Sequence, residues 1–259
     1  MVRLAISIYN EFSDYMMFKG VKNVDMIDVE FKYKSIDINV TKQLIIQQFG
    51  AIYDFHEKSL GFDGYLRNRI NNNTGKVIEE YKLSIKRLAK DISNIKREQP
   101  KNSFEELIMK YGDEFINRGE ECIKEIYNSG YMEIIRRSMV RTEICLGDTS
   151  FKNLRKNDFT EVVSFEDCCY NMVEMDCFFL LNKLKRKGLK LDYNSLVKEF
   201  CYIEGLDISS SKFLLALISY PYEFMKCCNK YREGKKQCNG EDFTGRIMNA
   251  LAQKEDFLL

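Results

Sequence analysis

The spacing of apolar positions along the chain predicts a mainly helical protein. After Thr41, a suitable N-cap, apolar residues recur every three to four positions. Ser103 followed by Glu106 has the pattern of a capping box that opens another helix. Between residues 61 and 75, glycines and an Asn-rich stretch predict a loop. The same periodicity predicts helices over residues 77–96, 116–127, 131–139, 173–186, 194–203, 209–219, 222–233 and 242–252.

Strand patterns occur in two places. Residues 29–33 and 36–40 alternate apolar and polar positions, which predicts two short strands. Between residues 143 and 167 a short apolar run, a turn at 156–158 and a β-rich run over 159–165 predict a small hairpin among helices. The predicted fold is therefore mainly α with a small β-hairpin, in the α+β class.

Composition restricts the possible partners and locations. The 259 residues are 45% hydrophobic, which suffices for a sizeable core, and 40 basic against 39 acidic residues make a net charge of +1. Because a duplex-binding domain usually has a basic excess, no nucleic-acid partner is expected. No segment approaches the roughly 18 apolar residues that span a bilayer, and the apolar run at the N-terminus is too short for a secretory signal. We therefore expect cytoplasmic synthesis and no transmembrane segment.

The cysteines and the single histidine do not form a zinc motif. Nine cysteines are present, two pairs of them adjacent, and no C-x-x-C occurs. The expected state is reduced thiols that act as small hydrophobic side chains. We interpret His56 as a structural residue at a helix end.

One segment carries a family resemblance. The run C-L-G-D-T-S-F-K-N-L over residues 145–154 resembles the H-G-D-x-x-x-x-N catalytic loop of aminoglycoside phosphotransferases and choline kinases. The resemblance implies that Asp148 matches the base that accepts the substrate proton and Asn153 a magnesium ligand. Residues 163–166 resemble the strand end I-D-F-D or I-D-F-E, residues 174–181 the helix that opens with an Asp, and residues 52–62 the end of a helix in that family.

A second resemblance is more specific. Residues 220–232 resemble a segment of the spore-coat CotS and CotI proteins, F-P-x-K-F-W-K-x-x-N-x-Y-Y, and residues 253–258 resemble the way those chains end. This implies a role in sporulation, other spore coat proteins as partners, and a path from the mother-cell cytoplasm to the spore coat. Tyr222, Phe224 and Met225 are the candidate interaction residues, with core packing as the alternative for each.

The chain departs from the phosphotransferase pattern at key positions. The loop histidine is Leu146, and the metal-binding Asp is Ser164. Glu166, two residues further along the same strand face, is the candidate substitute ligand. Residues 1–40 contain no Gly-rich loop, and we expect them to form a remnant or replacement of the N-terminal lobe. Residues 41–259 then form a helical, kinase-like C-terminal lobe.

These departures lead to a functional hypothesis with two alternatives. We expect a non-catalytic, pseudokinase-like spore coat or coat-assembly protein with no cofactor, in which Asp148 is an inactive relic of the base. In this hypothesis Asn153 satisfies backbone groups of a turn. The first alternative is a small-molecule phosphotransferase of weak or altered activity, which would use ATP and magnesium with Asn153 and Glu166 as ligands. The second is a ligand-binding module that uses the old substrate cleft.

Overall fold

The fold is a helical array that carries two small sheets. The computed structural model describes residues 12–27, 40–62 and 70–234, with Gly245, Met248 and Leu258. In chain order the elements are α1 (Phe12–Phe18), β1 (Val21–Asn23), α2 (Lys42–Ser59), β2 (Asn71–Asn72), α3 (Lys76–Glu98), α4 (Ser103–Asn128), α5 (Tyr131–Arg141), β3 (Ile144–Cys145), β4 (Leu154–Lys156), β5 (Thr160–Val162), β6 (Cys169–Tyr170), α6 (Glu174–Arg186), α7 (Tyr193–Ile203), α8 (Ile208–Ser219) and α9 (Tyr222–Gly234).

Most predicted helices are confirmed, with small shifts at their ends. Thr41 caps α2, since its hydroxyl accepts a hydrogen bond from the Leu44 amide at 3.2 Å. The capping box predicted at Ser103 is wrong by one residue, because the Asn102 side chain accepts from the Glu105 amide at 3.0 Å. The helix predicted over 116–127 is the second half of α4. The helix predicted over 242–252 lies outside the described residues, apart from Gly245 and Met248.

A hairpin is present at the predicted turn and belongs to a three-stranded sheet, but its first strand is β4; the apolar run at 144–146, predicted as part of it, contains β3 and pairs with β6 in the second sheet. β4 and β5 pair antiparallel with Leu154 opposite Val162, and β1 pairs parallel with the other edge of β5. In the second sheet β6 lies between β2 and β3, parallel to the first and antiparallel to the second. Each sheet includes a strand from a distant part of the chain, and the 145–153 segment runs from β3 in the second sheet to β4 in the first. The strands predicted at 29–33 and 36–40 lie outside the described residues, except for Val40.

Close helix packing forms the core around this segment. α3 lies against α4 at two glycines, where a Cβ on Gly112 would come within 2.6 Å of Ile92 and one on Gly119 within 3.1 Å of Ile85. α8 is buried on most of its surface and packs against α4, α6 and α7. Among the described residues, no helix is both long and apolar enough to cross a bilayer.

The candidate interaction residues of α9 separate into core and surface positions. Phe224 is 1% exposed and stacks on Phe115 with ring centroids 3.9 Å apart, and Met225 is 2% exposed. Both side chains therefore pack in the core, as the alternative expected, and the prediction of a contact surface is corrected for these two residues. Tyr222 is half-buried, so the surface role remains a prediction for it alone.

Candidate functional site

The 145–153 segment, which we call the loop, is held from below by the first turn of α6. The carboxylate of Asp176 accepts the backbone N–H groups of Leu146 at 2.8 Å and Gly147 at 2.9 Å, one on each oxygen. Asp176 is fully buried. Gly147 has a φ of +82°, and a Cβ there would lie 2.3 Å from the Asp167 carbonyl oxygen, so only glycine fits. The chain path ahead of Asp148 is thus set by a buried charge and a glycine.

His56 joins this carboxylate to two other helices. Its Nε2 lies 3.0 Å from Asp176 Oδ2, and its Nδ1 lies 2.7 Å from Glu204 Oε1. Burial alone disfavours the imidazolium, but the carboxylates of Glu204 and Asp176 outweigh it and raise the pKa of His56 to about 10. A protonated His56 donates from both nitrogens and ties α2, α6 and α7 together. The structure therefore places His56 in the core, in the structural role expected for it.

A second buried ion network supports the start of the loop. Arg137 donates to Glu174 at 2.7 Å and to Glu143 at 3.2 Å, and both carboxylates are fully buried. Burial disfavours the charged guanidinium, yet these carboxylates raise its pKa above the usual range. This network was not predicted from the sequence. The sequence did contain one signal for it. Acidic residues stand next to apolar runs at two places, Glu143 before β3 and Glu174 at the start of α6.

The Asn153 side chain makes hydrogen bonds to backbone groups. Its Nδ2 donates to the carbonyl oxygens of Asp148 at 2.8 Å and Ser164 at 3.1 Å, while its Oδ1 accepts from the Ser164 amide at 2.8 Å. The side chain is buried. This geometry joins the loop to the segment that follows β5. It uses both Nδ2 hydrogens and one of the two lone pairs of Oδ1, the atom through which an asparagine would bind a metal.

Asp148 faces a cleft and has a cationic partner. One carboxylate oxygen accepts from the Ser150 amide at 3.1 Å and lies 3.4 Å from Lys183 Nζ. The side chain is 40% exposed, so solvent weakens this ion pair. The cleft has a volume of about 400 Å³, and its wall includes Tyr81, Asp148, Phe179, Lys183, Arg186 and Tyr222. A small ligand entering it would meet a paired carboxylate, cations and aromatic rings.

On the other side of the loop lies the position where the resemblance expects a metal. The Ser164 hydroxyl accepts from the Glu166 amide at 3.2 Å, and Glu166 itself is exposed. A cavity of about 430 Å³ lies there, between α1 and residues 163–168. Phe12 of α1 packs edge-on against Phe165 with centroids 6.1 Å apart. The candidate ligands are thus a committed amide, a hydroxyl and one surface carboxylate, a poor set for Mg²⁺, which binds chiefly carboxylate and phosphate oxygens.

One buried group has the elements of a metal site but is already satisfied. His56, Cys145 and Asp176 bring their ligand atoms within 4.8 Å of one another. Cys145 donates its S–H to the Met172 carbonyl oxygen at 3.1 Å, and burial raises the pKa of this thiol well above its usual range. Because His56 and Asp176 already bond to each other, we interpret the group as a hydrogen-bonded part of the core. The eight cysteines that the structure describes are all buried and unbridged, as expected.

Comparison with known proteins identifies the fold. No protein-family model and no curated protein sequence matches the chain. A solved aminoglycoside phosphotransferase from Alicyclobacillus acidocaldarius superposes with a TM-score of 0.69 over 95% of this chain and 79% of that chain, at 13% sequence identity. At an identity this low, the superposition is evidence for the fold alone. The chain has a kinase-like α+β fold of the kind seen in aminoglycoside phosphotransferases.

Proposed function

We propose that this protein is a non-catalytic, pseudokinase-like protein that acts through protein contacts in the spore coat or its assembly. The observation that carries the proposal is the Asn153 amide, which is committed to the backbone of Asp148 and Ser164. Phosphoryl transfer depends on metal ions that bridge the phosphates and on a base positioned for the nucleophile. Here the metal position has a hydroxyl, and the base position is paired with a lysine.

The spore coat part of the proposal draws on the resemblance of residues 220–232. These residues run from Tyr220, the C-cap of α8, through most of α9. Their buried members account for the apolar part of the pattern, and Tyr222, Lys226 and Asn229 line an open groove. A protein that uses its fold as a scaffold needs no cofactor, and we propose none.

Two other candidates keep some support. The cleft of about 400 Å³ beside Asp148 favours the ligand-binding module, because aromatic and charged groups converge in it. The phosphotransferase alternative depends on Glu166 as a replacement ligand. Its exposed position at the strand end makes that role less favourable than a carboxylate held at residue 164.

The test of the main proposal is a melting curve with nucleotide. A ligand at a hundred times its dissociation constant adds about 2.7 kcal/mol of stability, which is an easily measured shift. We expect ATP with magnesium to leave the melting temperature where ATP with a chelator leaves it, and we expect no release of phosphate. A magnesium-dependent rise would contradict the proposal and support the phosphotransferase alternative.

A localisation experiment tests the biological half. In a sporulating endospore former, a fluorescent fusion of the Asp148→Asn variant should reach the spore surface like the wild type, provided that its melting curve is unchanged. If the variant is folded but fails to localise while the wild type reaches the spore surface, the carboxylate at 148 is needed and the non-catalytic role is wrong. If the wild type itself stays diffuse in the mother cell, the spore coat assignment fails while the fold assignment stands.

A further inference from the structure

The cleft beside Asp148 continues into a second cavity. This cavity has a volume of about 420 Å³, lies between α3 and α9, and shares Glu80, Tyr81 and Tyr222 with the first. The two therefore form one elongated depression, which we call the α3–α9 groove. It starts at the loop and follows the outward side of α9 to Glu233.

The floor of the groove is aromatic. Tyr81 and Tyr220 stack with their centroids 3.5 Å apart and their rings 6° from parallel, and the Tyr220 hydroxyl donates to the Tyr81 carbonyl oxygen at 3.1 Å. Tyr222 lies where the two cavities meet, and Leu83, 47% exposed, adds an aliphatic edge. Such a surface can seat an aromatic or aliphatic side chain of a ligand.

The walls of the groove carry an excess of positive charge. Its lining includes five cations and three carboxylates: Arg87, Lys183, Arg186, Lys226 and Lys230 against Glu80, Asp148 and Glu233. Lys183 pairs with Asp148 and Arg186 with Glu223, so the cations at Arg87, Lys226 and Lys230 are the ones that a ligand would meet. Tyr222 is crowded by two of these cations, with Arg186 4.9 Å and Lys226 5.4 Å from its ring centroid. Burial and then the charge of Arg186 lower the pKa of Lys226. A bound anion would relieve this repulsion, so the groove is complementary to negative charge.

One polar atom under the groove lacks a partner. The Tyr81 hydroxyl is the one buried side-chain nitrogen or oxygen, among the residues that the structure describes, that makes no hydrogen bond. Tyr81 is 4% exposed and lines both cavities. Native proteins satisfy almost all buried polar groups, so this hydroxyl is a donor that a ligand acceptor could complete. Because the hydroxyl is itself buried, an acceptor can reach it only if the side chains that cover it move when the ligand binds.

We propose that the α3–α9 groove binds an acidic peptide segment of a partner protein. Carboxylates of the segment pair with the basic walls, an aromatic or aliphatic side chain packs on Tyr222 and Leu83, and an acceptor of the segment takes the Tyr81 hydroxyl. The inference rests on the proposed non-catalytic function and gives its partner a chemistry. Peptide binding in this groove needs neither nucleotide nor metal, so it can be measured independently of any phosphotransferase activity.

Fluorescence anisotropy tests this without nucleotide. The probes are two labelled peptides of equal length around a central Tyr-Leu pair, one flanked by glutamates and the other by lysines. We expect the acidic probe alone to bind, and binding to weaken as salt rises, since screening acts on exposed charges. Equal binding of both probes, or binding of neither, would overturn the proposal.

Variants of the groove locate the binding site. We expect Arg87→Glu combined with Lys226→Glu to weaken the acidic probe about tenfold or more, a change of about 1.4 kcal/mol in binding free energy. Lys86→Glu is the matched control, because Lys86 is an exposed residue of α3 outside the groove, and it should keep wild-type affinity. Unchanged affinity in the double variant, or equal loss in the control, would exclude the groove.

The Tyr81→Phe variant separates a ligand contact from a packing role. It removes only the unpaired hydroxyl, so the melting temperature should stay or rise while the acidic probe binds more weakly. A fall in melting temperature with unchanged affinity would contradict the assigned contact.

Inorganic phosphate serves as a competitor, and complete displacement of the peptide by it at low millimolar concentration would mean a small-anion site instead. A magnesium-dependent ATP shift would refute the non-catalytic function alone, whereas loss of peptide binding without that shift would refute the groove alone.

Discussion

The two sides of the loop differ in how strongly they are held. On the α6 side a buried carboxylate, Asp176, receives two backbone N–H groups and a protonated His56, which in turn bonds Glu204. On the opposite side Ser164 and Glu166 lie near the surface, and the bond between them joins a hydroxyl to a backbone amide. The first side is held by buried charges, and the second carries a hydroxyl and one exposed carboxylate.

The difference indicates where a substitution would disturb the fold and where it would not. Groups that shape the backbone persist because removing one partner of a buried ion pair leaves an uncompensated charge. A side chain at a partly exposed position such as 164 has no such structural role, so either a serine or a carboxylate there is compatible with the fold. In the following predictions, stability should respond strongly to changes on the α6 side and weakly to changes at the metal side.

The largest effect should come from Asp176→Ala. The change leaves the charged His56 with one partner and two backbone amides without an acceptor, and loss of a buried ion-pair partner costs about 3–5 kcal/mol. Urea unfolding measures it. Asp148→Ala, in the same loop but 40% exposed, is the control and should cost less than about 1 kcal/mol. Comparable losses in both variants would show that the buried carboxylate is no more important to the fold than the exposed one.

Asn153→Asp should produce the next largest loss. The substitution replaces the donor to the carbonyls of Asp148 and Ser164 with an acceptor, and an unsatisfied buried group costs about 1–3 kcal/mol. The same change at Asn157, in the exposed hairpin turn, should leave the free energy of unfolding nearly unchanged. A magnesium ligand would instead tolerate a carboxylate, so stabilisation of Asn153→Asp by millimolar magnesium would argue for a metal site.

The pH dependence of stability should contain a contribution from His56. Its pKa in the fold, about 10, lies above the ordinary value of 6.5, so the folded state binds the proton more tightly. The resulting stabilisation is fully present below pH 6.5 and is lost as the pH rises through about 10. The wild type should therefore lose stability faster than His56→Gln between pH 7 and 10.

Differential scanning calorimetry at several pH values measures this difference in stability between the wild type and His56→Gln directly. Buried tyrosines and cysteines also titrate in the alkaline range, but they are common to both proteins and cancel in the comparison. Parallel curves for the wild type and His56→Gln would contradict the charged state of His56.

The smallest effect should come from Ser164→Asp. A carboxylate placed two residues from Glu166 adds repulsion at a partly exposed site, and such surface changes are usually within about 0.5 kcal/mol. Because two carboxylates two residues apart can share a hard cation, magnesium should restore the melting temperature of this variant and leave the wild type unchanged. Ser164→Asn is the uncharged control. A magnesium response of the wild type would remove the contrast between the two sides.

The sequence by itself determined the local elements and the position of the loop. Helical periodicity, the cap at Thr41 and the hairpin turn act between residues a few positions apart, so their signals can be recognised without a structure. The spacing from Asp148 to Asn153 located the loop for the same reason. α1, β1 and the sheet around β6 went unpredicted, since short segments of two to seven residues carry little periodicity and form through pairing with distant chain.

Only the tertiary structure decided which of these residues form buried ion pairs, which pack in the core and which lie at the surface. His56 meets Asp176 120 positions away and Glu204 148 positions away, and no local pattern encodes such partners. The spacing in α9 could not tell the buried Phe224 and Met225 from the half-buried Tyr222, because that depends on where α4 lies. The α3–α9 groove likewise exists only because two helices far apart in sequence come together, and burial and long-range electrostatics are properties of that assembly.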